Sequence, residues 1–243
     1  NSLNSSFSAS IINDKGKIIG SYNGNKLRIP ASNLKLFSTA YTLSYLDISE
    51  NLATSLYKDS SNNYYLVGSG DPDLSFDDIR NVLEKIKLKK NFNFYILEID
   101  NKKKWPKGWT DEDKLYSYGS PITSLAIKSN QNKYIDIFYF KKVIEDYLKI
   151  NYPSISFKLS IVEFSEFRNK NLRLINQIIS SPILSLITLA NSESHNFTAE
   201  SLFKNASNTW NDNDYIKLKN WLENKGLPVT NTYFADASGL SRK

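Results

Sequence analysis

Alternating apolar and polar positions open the chain. Residues 7–12 and 17–22 read as two strands joined by the turn-forming run Asn13-Asp14-Lys15-Gly16, and Asn23-Gly24-Asn25 turns the chain again before an extended stretch at 27–29. The period then changes. After Pro30, the residues Leu36, Phe37, Ala40, Leu43 and Leu46 recur at helical spacing, which predicts a helix from Ser32 to about Asp47. A second strand pair, 55–57 and 64–67, flanks the polar run Asp59-Ser60-Ser61-Asn62-Asn63. Ser75 with Asp78 forms a capping-box start for a helix whose apolar stripe is Ile79, Val82, Leu83 and Ile86.

Beyond it the pattern predicts strands at 94–99, 122–127, 134–140 and 155–164, with a short helix at 143–148. From Ser181-Pro182 onward the period is helical, giving helices at 183–189, 197–203 and 215–222, the last closed by Gly226. The region from about Ser75 to Arg173 has its own alternation of strands and helices. It reads as a domain, 75–173, inserted between 1–74 and 174–243.

The 243 residues, 40% hydrophobic and 13% aromatic, suffice for a substantial core. No apolar stretch is long enough to span a bilayer, and Asn1-Ser2-Leu3-Asn4-Ser5-Ser6 lacks the charged and apolar regions of a signal peptide. The absence of cysteine removes disulfides, thiolate nucleophiles and cysteine-zinc sites. With His195 as the only histidine, a Ser-His-Asp triad has one place to form and a histidine-rich metal site has none, so no metal or cofactor is expected. The net charge of +6 is dispersed. Its densest runs, Lys85-Ile86-Lys87-Leu88-Lys89-Lys90 and Lys102-Lys103-Lys104, read as solvated faces, and no nucleic-acid partner is expected. The tryptophans of Trp105-Pro106-Lys107-Gly108-Trp109 read as packing a loop onto the core, and Gly68-Ser69-Gly70-Asp71-Pro72-Asp73-Leu74 as a backbone turn, because it lacks a P-loop's Gly-Lys-Ser/Thr.

Candidate chemistry concentrates in two places. Ser-x-x-Lys occurs at Ser32 and Lys35, at Ser55 and Lys58, and at Ser201 and Lys204. Only the first copy starts an apolar-periodic helix, where hydroxyl and amine share one face and the helix N-terminus can stabilise a developing oxyanion. A lysine acts as a base near neutral pH only when burial or a neighbouring cation disfavours its charge. On spacing alone, a helix-start serine beside a solvated lysine is the commoner arrangement. The second place is Ser194-His195-Asn196, between two predicted helices. There a hydroxyl and an amide two apart can face one cleft, although serine and asparagine are also the commonest helix caps.

Together the two segments resemble the active-site serine penicillin-binding proteins and serine β-lactamases. The closest resemblance is to D-alanyl-D-alanine carboxypeptidases/endopeptidases of the penicillin-binding protein 4 type, peptidase family S13. Further segments in family order carry it: Gly68-Ser69-Gly70-Asp71-Pro72 with Leu74, Gly108-Trp109 with Tyr118-Gly119, Ser180-Ser181-Pro182-Ile183-Leu184, and Asp236-Ala237-Ser238-Gly239-Leu240-Ser241-Arg242. The resemblance implies an α/β (α+β) fold with a transpeptidase-like, β-lactamase-like sheet. It implies Ser32 as nucleophile, Lys35 as its base, Ser194 as proton relay and Asn196 as holder of the substrate amide, with no cofactor. Peptidoglycan stem peptides are the implied substrate, β-lactams the implied covalent inhibitors and the bacterial envelope (periplasm) the implied location, with at most peripheral membrane contact. Two departures stand out. The segment from Ser32 to Ser194 is shorter than the family's, and no Lys-Thr-Gly follows Arg242. The second departure leads to the expectation of missing C-terminal strands in a fragment, with a non-catalytic peptidoglycan- or penicillin-binding module as the alternative.

Overall fold

The computed structural model describes residues 7–87, 91–99, 103–132, 136–164, 171–210 and 215–242. The chain forms two compact units, divided after Pro30. In the first, β1 (Ala9–Ile12) and β2 (Ile18–Tyr22) make an antiparallel hairpin that pairs Ala9 with Tyr22. Its turn closes with Gly16 N–H on the Asn13 carbonyl at 3.0 Å, and Phe7 stacks on Tyr22 at 4.8 Å. The expected extension at 27–29 has no regular structure.

The second unit is a mixed α+β structure. Helix α1 (Leu34–Leu43) follows a single 3-10 turn at Ala31–Asn33. Strands β3 (Asn51–Lys58) and β4 (Tyr64–Val67) form an antiparallel pair in which β3 extends the predicted 55–57 and β4 matches the predicted 64–67. Helix α2 (Phe76–Leu83) then leads to β5 (Phe92–Glu98), and α3 (Ile137–Asn151) precedes β6 (Phe157–Glu163). The β4–β5 and β5–β6 pairs are parallel, each joined through a helical crossover. Strand β7 (Arg173–Pro182) pairs antiparallel with β3, giving the order β6-β5-β4-β3-β7. The sheet therefore draws strands from 51–67, from 92–163 and from 173–182 into one layer. Leu56, Leu66, Phe94, Ile96 and Leu159 of the sheet, Ile79, Val82 and Leu83 of α2, and Phe140, Ile144 and Leu148 of α3 share one core.

The capping box at α2 forms as the spacing predicts. Ser75 Oγ accepts from Asp78 N–H at 3.2 Å, and Asp78 Oδ2 accepts from Ser75 N–H at 2.9 Å. Ser75→Ala is expected to cost about 1 kcal/mol in urea unfolding with an unchanged m-value.

Two expected strands are corrected. Residues 122–127 are buried but irregular. The chain here crosses the core, and its amide bonds scatter, Ile122 N–H to Lys104 O and Lys128 N–H to Leu74 O, so no ladder forms. The aromatic run read as a strand at 134–140 starts a helix instead. Asp136 accepts from Tyr139 N–H at 2.8 Å, and Ile137, Phe140, Ile144 and Leu148 make one buried stripe, so packing overrides β-propensity; residues 134 and 135 lie outside the described residues. Strand β7 was not foreseen. Of the lysine runs, Lys85 and Lys87 are exposed as expected, whereas Lys104 is buried; Leu88, Lys89, Lys90 and Lys102 lie outside the described residues.

The remaining helices, α4 (Ile183–Ser192), α5 (Asn196–Ser207) and α6 (Ile216–Asn224), pack with α1. Helix α5 is central, since its buried residues include Phe197, Glu200, Leu202, Phe203 and Lys204. Leu34 and Tyr41 of α1 meet Phe203, Leu218 and Leu222 in one cluster, while Ala199 and Leu202 meet Leu186, Ile187 and Ala190 of α4 in another. Trp109 packs with Ile122, Ala126, Phe197 and Trp210, so the tryptophan loop lies on the core as predicted.

Candidate active site

The four residues singled out in the sequence converge on one point. Ser32 lies in the 3-10 turn that starts α1, and Lys35 is one turn on, 1% exposed. Ser194 sits in the tight link between α4 and α5, and Asn196 is the first residue of α5. Lys35 Nζ lies 3.2 Å from Ser32 Oγ, 3.3 Å from Ser194 Oγ, 2.6 Å from Asn196 Oδ1 and 2.8 Å from the Ser238 carbonyl oxygen. Ser194 Oγ donates to Ser32 Oγ at 2.8 Å.

Those distances constrain the chemistry. The Asn196 Oδ1 and Ser238 carbonyl oxygens can only accept, so each takes one N–H of Lys35. One position on nitrogen remains, and it faces the two serine hydroxyls. In the ammonium it is a third N–H; in the neutral amine it is the lone pair. Losing a proton therefore turns the group facing Ser32 from a donor into an acceptor without moving the side chain. Burial lowers the Lys35 pKa from 10.5 to about 8, against the opposing pull of Glu200 and Asp236.

Local backbone geometry sets this cluster. Ala31 and Ser194 have φ of 49° and 54°, in the left-handed region that L side chains rarely adopt. Each costs about 1–2 kcal/mol, and they place Ser32 and the Ser194 hydroxyl. The segment Asp236–Arg242 wraps the other side. Asp236 accepts from Trp109 Nε1–H at 2.9 Å, Gly239 N–H at 2.9 Å and Ser241 N–H at 2.7 Å. Ser38 Oγ, on α1, donates to the Ala237 carbonyl at 2.7 Å. Arg242 reaches Asp113 at 3.4 Å, and the Thr110 hydroxyl on Asp113 holds that carboxyl below its ordinary range.

Glu200, to which the sequence reading gave no role, lies beneath the site. It is fully buried on α5, one turn beyond Asn196. Its Oε1 accepts from Ala237 N–H at 2.8 Å and Ser238 N–H at 2.9 Å, and its Oε2 accepts from the Tyr215 hydroxyl at 2.8 Å. Burial, reinforced by Asp236, raises its pKa from 4.5 to about 7. The i, i+4 spacing from Asn196 was the signal available. Asn196 donates through Nδ2 to the Tyr118 carbonyl at 2.9 Å, so both ends of its amide already have protein partners. His195 Nδ1 pairs with Thr198 Oγ1 at 2.6 Å and Nε2 with Gln131 Nε2 at 3.3 Å; burial lowers its pKa.

The other Ser-x-x-Lys copies differ in kind. Ser55 and Lys58 lie on β3, where residues three apart point to opposite faces, and Lys58 sits over the Tyr64 ring. Ser201 and Lys204 are on α5, but Ser201 Oγ donates to the Gly70 carbonyl at 2.6 Å and Lys204 Nζ to the Thr209 carbonyl at 3.4 Å. Gly70, with φ of 72°, leaves room for Ser201 and Trp210, so the Gly-Ser-Gly segment is a packed backbone turn.

An exposed Ser32 beside a buried Lys35, closed by Ser194 and Asn196, thus sits on an α+β scaffold, and the chain belongs to the D-Ala-D-Ala carboxypeptidase 3 (S13) family, whose model matches residues 1–136 and 137–243. It is thus a member of a peptidase family. Among solved structures it is similar to penicillin binding protein 4 from Haemophilus influenzae, with a TM-score of 0.75 and 18% identity over 94% of this chain and 69% of that one. The same protein complexed with a novel β-lactam gives a TM-score of 0.65 and 18% identity over 94% of this chain and 68% of that one. A predatory peptidoglycan endopeptidase from Bdellovibrio bacteriovorus gives a TM-score of 0.45 and 17% identity over 90% of this chain and 57% of that one. No curated protein sequence matches the chain.

Proposed function

We propose that this protein is a serine-type D-Ala-D-Ala carboxypeptidase or endopeptidase acting on peptidoglycan stem peptides in the bacterial envelope, through an acyl-enzyme on Ser32 that β-lactams also form. The observation that carries this reading is the single free valence of Lys35 Nζ, turned toward Ser32 Oγ and Ser194 Oγ. With the lone pair in that position, Lys35 accepts the Ser32 proton as Oγ attacks the carbonyl carbon of the scissile D-Ala-D-Ala bond. The tetrahedral intermediate then collapses. Its C–N bond breaks as the proton passes from Lys35 through the Ser194 hydroxyl to the leaving amine, along contacts of 3.3 Å and less. Water then attacks the ester carbonyl, giving a proton to Lys35, and the bond to Ser32 Oγ breaks as Lys35 returns that proton to Oγ, restoring the resting serine and neutral amine. Asn196 holds Lys35 in the resting site and offers its remaining N–H to the substrate amide.

Support comes from the family, from the likeness to a penicillin binding protein and from the depressed Lys35 pKa. Among the described residues, no helix is long and apolar enough to cross a membrane. The test is to incubate the protein with a fluorescent penicillin, digest it and locate the adduct by mass spectrometry, alongside assay of D-alanine release from a stem pentapeptide. The expected adduct lies on the peptide containing Ser32. An adduct on any other residue overturns the assignment.

A further inference from the structure

Glu200 is the buried titratable group that the proposed mechanism leaves idle. It is 0% exposed and sits on the opposite side of the Asp236–Gly239 turn from Lys35. One carboxylate oxygen takes the amide protons of Ala237 and Ser238, and the carbonyl of that same Ser238 accepts from Lys35 Nζ at 2.8 Å. A single peptide segment thus has its N–H groups on Glu200 and its carbonyl on Lys35. Among the described residues, the groups facing Glu200 are Lys35 from α1, Asp236 from the turn and Tyr215 at the start of α6, and His195, just before α5, also acts on Lys35.

We propose that Glu200 is a positioning residue for Lys35, fixing the Ser238 carbonyl through its hydrogen bonds and, through its negative charge, setting the pH at which Lys35 gives up its proton. Glu200 does not touch the reacting atoms. The role rests on the reading of Lys35 as the base, and it has a consequence that a purely structural buried carboxylate would not have. An anionic Glu200 favours the ammonium form of Lys35, so it holds the acid limb of the rate profile at higher pH than burial alone would. A neutral replacement that keeps the hydrogen bonds should make the protein a better acylator between about pH 7 and 8, where Glu200 is charged and Lys35 is still largely protonated.

Glu200→Gln is that replacement. Its amide oxygen can accept from Ala237 and Ser238, and its N–H can donate to the Tyr215 oxygen. The experiment titrates Lys35 by NMR of the 15N-lysine-labelled protein and measures the acylation rate with a fluorescent penicillin from pH 5.5 to 9.5. Expected for Glu200→Gln is a downward shift of about 0.5–1 pH unit in both the Lys35 titration and the acid limb. At pH 7.5, where Glu200 is mostly charged, this makes acylation roughly two- to threefold faster than wild type, with little change at pH 9 or well below the Glu200 pKa. Glu200→Ala, which releases the turn, should slow acylation at every pH.

A Lys35 titration unmoved in Glu200→Gln overturns the proposal. A titration that moves while the acylation profile does not leaves the grip of Glu200 on Lys35 standing and removes Lys35 as base, so the two readings fail separately. If Glu200→Gln does not fold, Tyr215→Phe serves instead. Removing that hydroxyl raises the Glu200 pKa and neutralises it at higher pH, so Lys35 should shift in the same direction by a smaller amount, and no shift counts against the proposal.

Discussion

Lys35→Met is expected to slow β-lactam acylation by about 10²–10⁴-fold, the range for loss of a positioned base, and Ser32→Ala to abolish the covalent adduct altogether. Combining the two should add nothing, because residues that act as one unit are not additive. Acylation of Lys35→Met at the wild-type rate would remove the lysine from the mechanism. The same substitution has a second, independent readout in stability. Lys35 titrates near 8 in the folded protein against an ordinary 10.5. Between those values the unfolded chain holds the proton and the folded protein does not, so stability rises with pH across this window. From pH 8 to 10 the gain is about 2–3 kcal/mol at most, and above pH 10 the raised pKa of Tyr41 begins to reverse it. Glu200 works in the other direction. Its folded pKa is about 7 against an ordinary 4.5, so the folded protein keeps a proton that the unfolded chain has lost, and stability falls from pH 4.5 to 7. The two groups together place a shallow stability minimum near pH 7–8. Lys35→Met should flatten the alkaline rise in denaturant titrations, and a rise that persists unchanged would mean Lys35 is not the group responsible.

The helices were legible where one apolar stripe and a local signal coincide. Helix α2 announces itself through Ser75 and Asp78, and α6 through Gly226, whose φ of 81° lets the chain reverse. The 134–140 segment misleads because Phe138, Tyr139 and Phe140 favour strands locally, and only the Asp136 cap and the buried i, i+3/i+4 stripe fix it as helix. Strand β7 was hidden for another reason. It pairs along one side with β3, and much of its surface is exposed, so its side chains carry little alternation. Of the site, the side chains of Ser32, Lys35, Ser194 and Asn196 were nameable from spacing. What the sequence could not show is the backbone: the carbonyls of Ser238 and Tyr118 use no particular side chain, and the left-handed Ala31 and Ser194 are residue types that do not advertise that conformation. Nothing in the sequence around Glu200 marks it, because its burial depends on Tyr215 at the start of α6 and on the 236–242 segment closing over it.

Gly239→Ala is expected to unfold or severely weaken the protein, by about 3 kcal/mol or more, and to cut acylation by at least roughly 10²-fold in whatever remains folded. Two costs meet at this residue. Its φ of 76° is strained for any L side chain, and a Cβ there would drive into the carbonyl oxygen of Ala31 and come within 3.2 Å of Leu34 Cβ. Neither neighbour can yield cheaply. Ala31 already holds a left-handed conformation and is the residue before Ser32, while Leu34 is a buried core residue next to Lys35. Relief of the clash must therefore move the nucleophile away from its base or pull the Ser238 carbonyl off Lys35 Nζ. Gly226→Ala separates the two costs, because Gly226 has a φ of 81° and nothing within 4 Å of the position its Cβ would take. It should lose only the conformational term, about 1 kcal/mol, and retain its acylation rate. Thermal unfolding and penicillin labelling of the two variants side by side give the comparison. Equal effects at both glycines would mean that the close approach of Gly239 to Ala31 has no part in holding the site together.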